Sequence, residues 1–454
     1  MRLITDSNRK WWVLVAMGAS LGLVLLDETV VGVTLPTLKQ QLGMSTTTAH
    51  WVVSAYLLVF GGFCAAGGKL LDVIHFRIVL PIALAIFALG SLAAGFAEDS
   101  IELIGARALQ GLGAAGILPA TVAATSLSFP KEQRGMALGI MSSAGLFFLG
   151  AGPLVGGAIV HFTSWRWVFW INVPIVMLIA LLFLIAWKPQ RSKQKQMDLD
   201  LGGLTTLITG LTMLVLAIMQ GDTWGWDSPV ILALFAGSAL TFFFLVRIER
   251  RHATPLIDVE LFTIPTVTAY NLVVFAIQYS KMAVVVFVAL YLQYRLNMSP
   301  LMAGFALLAA VGVAPFTAPL IGWLTDKRGP RRTALLGLSC ATLAMLWIGV
   351  TSEWHSYLLI VPGLLLWGAA IPACYTPSIT AVMNSVPIEE HGQASGVVVT
   401  VRLLGSNAGM AVSSMLYVTS NSFQVVFLAA TLVMVVILLF GWFVIEHKEV
   451  AQTT

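Results

Sequence analysis

Residues 322–332 read GWLTDKRGPRR, a short charged stretch set between two long apolar runs. It has an echo earlier in the chain, because Gly322-Trp-Leu-Thr-Asp326 repeats Gly68-Lys-Leu-Leu-Asp72 at an offset of 254 residues. Pro130, Gly135 and Gly139 in PKEQRGMALG find counterparts at Pro387, Gly392 and Gly396 in PIEEHGQASG, each at an offset of 257. GLGAAGILPA at 111–120 is echoed by WGAAIPA at 367–373. The chain is therefore built from one unit used twice. Parallel repeats of this kind are a transporter architecture, with the substrate site near mid-membrane between the halves.

Composition supplies the membrane. Hydrophobic residues make up 58% and charged residues 10%, where a soluble domain has a charged fraction near 25%. The mean hydropathy is +0.90. The formal net charge of +4 comes from Lys and Arg clustered in loops, which is a topology signal and implies no nucleic-acid partner. Cys64, Cys340 and Cys374 lie in apolar segments without CxxC or Cys/His spacing, so neither a disulfide framework nor a metal site is expected. The apolar run from Trp11 continues past the length of a cleavable signal, so the first helix is expected to stay.

Counting runs of about twenty apolar residues gives fourteen spans: 11–33, 50–71, 78–97, 102–127, 135–160, 166–187, 201–220, 229–247, 266–292, 301–325, 332–351, 357–385, 394–418 and 422–445. An even count puts both termini on one side. With that side cytoplasmic, 19 of the 25 Lys and Arg lie there or at the span ends bordering it, three lie outside or at an outer span end (Lys39, Arg166, Arg295) and three lie deep within spans (Arg107, Lys281, Arg402). This asymmetry sets the orientation. Of the 14 tryptophans, all but Trp367 fall near helix ends or in loops, as interfacial belts require. The expected organisation is a six-helix bundle at 1–190, an inserted helix pair with its links at 191–261, and a second bundle at 262–454. The polar stretches at 188–195 and 247–260 are the expected joints.

Within the first span, LDETVVGVTLP at 26–36 places Asp27 deep among apolar residues. A carboxylate at a helix centre costs about 2.5–3.5 kcal/mol, so it is expected to serve ions, protons or substrate. Asp27 is nine residues, about 13 Å at 1.5 Å per residue, before Pro36. Arg107 is eight residues beyond Asp99, which puts the opposite charges at similar depth. Paired, each is tolerable, and protonating Asp27 releases Arg107; the open alternative is a purely structural ion pair.

The pattern Gly-x-Leu-x-Asp-Lys/Arg-x-Gly-x-Arg in Gly322–Arg332 resembles the signature loop of the major facilitator superfamily. That resemblance implies that Gly322, Asp326 and Arg331, with Asp72 and Arg77 in the first copy, latch the cytoplasmic side across the halves, each Asp facing a helix N-terminus. The first copy has Val73 and His75 where a basic residue and Gly are usual, and is expected to be the weaker latch. LIGARALQGLGAA at 103–115 is similar to the fourth-helix motif of the family. Gly152-Pro153 and Gly156-Gly157 in the fifth span resemble its antiporter motif, the bland alternative being ordinary small-residue packing. Across nearly the whole chain, LDETVVGVTLP, WRWVFWINVP at 165–174, GDTWGWDSP at 221–229 and GQASGVVVTVRLLGSNAG at 392–409 are similar to the fourteen-helix drug:proton antiporter family. Departures are Gly32 for a common Asn, Phe148 for a small residue and Ala309 for a common Pro.

The resemblance implies an all-α major facilitator fold and a proton-coupled exporter of small amphipathic compounds in the bacterial inner membrane, functional as a monomer. No HExxH, GxSxG or phosphate-binding loop is present, so no enzyme or nucleotide cofactor is expected and the proton gradient is the expected energy source. Candidate cavity residues are Glu28, Gln110, Gln278, Lys281 and Arg402. The two cations suit an anionic or zwitterionic substrate; alternatively they neutralise Glu28 or Asp27. Tyr56, Phe60, Met141, Phe147, Phe275 and Met282 are candidates for an adaptable apolar surface, the alternative for most of them being a lipid-facing or packing role. Two rival readings remain, a dedicated exporter or flippase of one metabolite, siderophore or lipid, and a non-transporting membrane sensor.

Overall fold

The computed structural model describes residues 4–6, 8–188, 200–252, 255, 259–298 and 300–452. The expected joint at 188–195 lies almost wholly outside these residues, and the link at 247–260 lies partly outside them. Among the described residues there is no strand, and fourteen helical segments are long and apolar enough to cross a membrane. In chain order these are α1 Arg9–Gln41, α2 Thr46–Val73, α3 Phe76–Phe96, α4 Ser100–Ser128 and α5 Arg134–Phe162. Next come α6 Arg166–Ala186, α7 Leu201–Trp224, α8 Pro229–Glu249, α9 Pro265–Tyr294 and α10 Met302–Arg328. The last four are α11 Pro330–Thr351, α12 Tyr357–Ser385, α13 His391–Ser420 and α14 Phe423–Gln452. The number of spans is the one expected from hydropathy. Their ends differ most at α1, which runs on as helix to Gln41 where the apolar run stops at 33, because hydropathy marks the bilayer and not the helix.

Small residues set the packing. Without a hydrophobic drive between helices in lipid, close backbone approach supplies the van der Waals contact. A Cβ at Gly111 would strike the Tyr56 carbonyl, joining α4 to α2, and one at Gly113 would strike the Phe87 backbone of α3. Gly145 lies against Leu21, Gly152 against Thr29 and Gly156 against Val30, so these three glycines of α5 face α1, whereas Gly135 and Gly139 face α10 and Gly157 faces open space. Thr29 Oγ1 donates to the Leu149 carbonyl at 3.2 Å across the same seam. Arg9 Nη1 donates to the Ile185 carbonyl at 3.2 Å and fastens the start of α1 to the end of α6.

The α2–α3, α4–α5, α10–α11 and α12–α13 connections lie on the face where α1 begins and α14 ends, here the basic face. At that face one apolar cluster runs through both halves, uniting Leu14, Leu138 and Met141 with Tyr270, Val382 and Val398. Beyond it the buried clusters separate. One holds only residues between Leu26 and Phe169, another only residues between Val273 and Ile437. The repeats are thus fused at the basic face and independent towards the opposite one. α7 packs at a seam, with Leu207 and Leu211 against Ala65 and Ala66 of α2 and Leu404 of α13 alongside. In α9, Ala283–Val288 is π-helical, a widened turn that starts two residues after Lys281 and often accompanies functional sites.

Candidate transport site

Asp27 and Arg107 meet. Arg107 Nη1 lies 2.6 Å from Asp27 Oδ2, and both side chains are fully buried. The pair belongs to a larger polar cluster inside the first repeat. Arg107 Nη1 also donates to Gln110 Oε1 at 2.7 Å, and Nε to the Val52 carbonyl at 3.1 Å. Asp27 Oδ1 accepts from Gln110 Nε2 at 3.2 Å and from Asn172 Nδ2 at 3.1 Å. Ser91 Oγ lies 2.6 Å from Gln110 Nε2 and 3.2 Å from Asn172 Nδ2. The Tyr56 ring packs over the guanidinium, 4.3 Å from centroid to Cζ. Four helices besides α1 therefore contribute: α2, α3, α4 and α6. Both oxygens of the carboxylate are thus met by side-chain donors, Oδ2 by Arg107 and Oδ1 by Gln110 and Asn172.

Gln110 is completely buried in this cluster, so it belongs to the charge pair and not to the substrate cavity, contrary to expectation. The physical reason is register: Gln110 is one turn from Arg107 on the same face of α4, turned towards α1 and α3.

A cavity with about 690 Å³ of atom-free space, part of it open to solvent, lies between the halves. One wall is apolar, made by Leu21 and Leu25 of α1 and Leu146 and Leu149 of α5. The other carries Gln278 and Lys281 of α9, Trp367 and Tyr375 of α12, and Arg402 of α13. Ser142 of α5 adds one hydroxyl on the first side. Trp367, the one tryptophan expected away from an interface, is fully buried and donates from Nε1 to Ser280 Oγ at 3.1 Å. Gln278 accepts from Ser406 Oγ at 3.4 Å. Glu28 is half-buried on the next face of α1 and acts electrostatically on Lys281 and Arg402. It forms no ion pair within 4.0 Å with any described residue, and it is not among the lining residues. Of the candidates for an adaptable apolar surface, Tyr56, Phe60 and Met141 are core residues and Phe147 is exposed, the packing and outward-facing alternative, and none of the four lines the cavity. Branched aliphatic residues take their place.

Both loop aspartates act across the halves. Asp326 Oδ1 and Oδ2 accept from the backbone N–H of Gly135 and Met136, both at 2.8 Å. Asp72 Oδ1 and Oδ2 accept from Gly392 at 2.7 Å and Gln393 at 2.6 Å. These donors are the unsatisfied first N–H groups of α5 and α13, at the positive ends of the helix dipoles. The first copy is as fully engaged as the second, so the expected weakness from Val73 and His75 has no counterpart in the geometry. The latch uses the carboxylate and a helix end, neither of which those two positions supply. Gly68 and Gly322 are required by sterics, since a Cβ on either would strike the carbonyl of Gly392 or Gly135. Arg134 adds a bond across the halves, from Nη1 to Asn384 Oδ1 at 2.8 Å, and Ser143 Oγ donates to the Pro315 carbonyl. Arg77 is exposed, and Arg331 is half-buried at the start of α11.

Sequence reading did not single out Asn172, Ser91, Tyr56 as a guanidinium platform, or Asn384. Asn172 had a usable signal, being an amide inside the apolar sixth span. The helix ends that receive the aspartates lay in plain view as the repeated Gly135 and Gly392.

The family description "Major Facilitator Superfamily" matches residues 17–406 and 270–454. The chain is 31% identical over 403 residues to the multidrug resistance protein Stp of Mycobacterium tuberculosis (strain CDC 1551 / Oshkosh), covering 88% of this chain and 74% of that one. It is 33% identical over 399 residues to the cephamycin export protein CmcT of Amycolatopsis lactamdurans, covering 86% and 81%. Its fold is similar to that of the proton:xylose symporter XylE bound to 6-bromo-6-deoxy-D-glucose, with a TM-score of 0.71 at 15% identity over 96% of each chain. With its duplicated halves, crossed aspartate latches and fourteen apolar helices, this multi-pass membrane protein belongs to the major facilitator superfamily, a family of transporters and not of enzymes.

Proposed function

We propose that the protein is a proton-coupled exporter of small amphipathic organic compounds, working as a monomer by alternating access in the bacterial inner membrane with both termini cytoplasmic. The observation that carries this reading is Asp27, a fully buried carboxylate whose partners are a guanidinium and two amides. A proton delivered to Asp27 cancels its attraction for Arg107 and leaves the cation short of a counter-charge in low dielectric. The cluster then has two states, and its helices α1 and α4 flank the cavity wall and the seam to α2. The moving bodies in this reading are residues 1–190 and 262–454, with the pair α7–α8 inserted between them. With both latches formed, the basic face is shut and the conformation faces outward. Relatives named for multidrug resistance and for export support the direction and the cargo class.

The test is flux in proteoliposomes under an imposed pH gradient. Asp27→Asn keeps the volume and one acceptor oxygen but cannot titrate, so gradient-driven accumulation should be lost while counterflow of substrate without a gradient persists. Full gradient-driven flux in that variant would move the coupling role to Glu28.

A further inference from the structure

We propose that the central cavity selects amphipathic organic anions, holding a carboxylate or sulfonate between Lys281 and Arg402 while the apolar body lies on Leu21, Leu25, Leu146 and Leu149. The inference rests on the transport reading above and names its substrate class. Its basis is a charge imbalance. The cavity lining holds two cations and no carboxylate. The buried acid that sequence places at similar depth, Asp27, is turned into its own repeat and already paired with Arg107. Neither Lys281 nor Arg402 has an ion-pair partner within 4.0 Å among the described residues. Glu28 acts on both from a distance without reaching either. Burying two cations at this depth against one remote carboxylate leaves a net positive site that an entering anion neutralises.

The repeat sharpens the point. Lys281 follows Asp27 by 254 residues, the same offset that relates Gly322 to Gly68. The second half therefore carries a cation at the position where the first half carries its acid. Tyr375 of α12 lines the same cavity as Arg402. A planar fork beside a mobile ammonium suits an oxyanion. The π-helical turn that begins at Ala283 separates the Lys281 end of α9 from its far end, leaving the cation on the stretch that also presents Gln278.

The experiment uses two amphiphiles with the same aromatic body and opposite sign, naphthalene-2-sulfonate and 2-naphthyltrimethylammonium. Binding to the full-length protein in detergent is measured by equilibrium dialysis against protein-free micelles, which subtracts partitioning. The parent protein should bind the sulfonate at least about tenfold more tightly, and Lys281→Met and Arg402→Met should each lower sulfonate affinity about tenfold while ammonium affinity stays level or rises. Lys281→Arg should keep the preference for the anion. Tighter binding of the ammonium by the parent, or equal effects of the variants on both ions, would overturn the inference. Should the Met variants fail to fold, the comparison of the two ions on the parent still decides. Anion-selective binding without gradient-driven flux would sink the transport reading and leave this site standing; gradient-driven flux of cations alone would do the reverse.

Discussion

Replacing Asp326 by Ala deletes two charge-assisted hydrogen bonds, to the N–H groups of Gly135 and Met136 at 2.8 Å each. Replacing Asp72 deletes the equivalent pair, to Gly392 at 2.7 Å and Gln393 at 2.6 Å. Hydrogen bonds to charged groups contribute about 1.5–3 kcal/mol each when buried, but these carboxylates are half-exposed and water can serve the freed N–H groups, so about 2 kcal/mol per latch is the fitting figure. That corresponds to roughly a 30-fold rise in the population open at the basic face, and to about 1000-fold for the double variant, since the latches share no partner. The assay is maleimide labelling of native Cys64, fully buried, whose carbonyl lies under Gly396 at the α2–α13 seam. Cys340 and Cys374 are first replaced by Ala. When opening and closing are fast relative to labelling, the rate follows the open population even where that population is minute. Asp326 sits at the other seam, α10 on α5, so acceleration at Cys64 in Asp326→Ala reports opening of the whole face and not local fraying. Less than about a threefold change in either single variant would refute the free-energy estimate. A response to Asp326→Ala alone would show that the first copy is a weak latch despite its geometry.

Three further outcomes follow from the same contacts. Arg107→Ala should lower stability by about 3–5 kcal/mol by stranding the Asp27 carboxylate, whereas Asp27→Asn with Arg107→Gln should lose much less; equal losses in thermal unfolding would argue against a strong pair. Asn172→Ala removes one donor to Asp27 and should slow gradient-driven flux about tenfold while folding is retained; unchanged flux would remove Asn172 from the coupling group. Gly135→Val should behave as Asp326→Ala or worse in the labelling assay, since a Cβ there meets Asp326 Oδ1 and the Gly322 carbonyl; unaltered labelling would mean that the α5–α10 contact does not close the face.

The membrane setting, the fourteen spans and the duplication were legible in the sequence because each depends on local chemistry. An apolar run crosses a bilayer whatever its neighbours are, and a repeated motif needs no third dimension to be seen. The depth of Asp27 and Arg107 was legible for the same reason, since rise per residue converts position into height. Height is one coordinate only. Which way each side chain turns depends on how helices pack, and that decided the rest: Gln110 turned to the ion pair, while Lys281 and Arg402 came to line one cavity from different helices. Asn172 reached Asp27, and Ser91 reached Gln110 and Asn172, only because α3 and α6 pack around α1 and α4. The latch of the first copy shows the same limit. Val73 and His75 depart from the motif, yet Asp72 is fully bonded, because its partners are backbone N–H groups at the start of α13, which no side-chain pattern in the loop encodes.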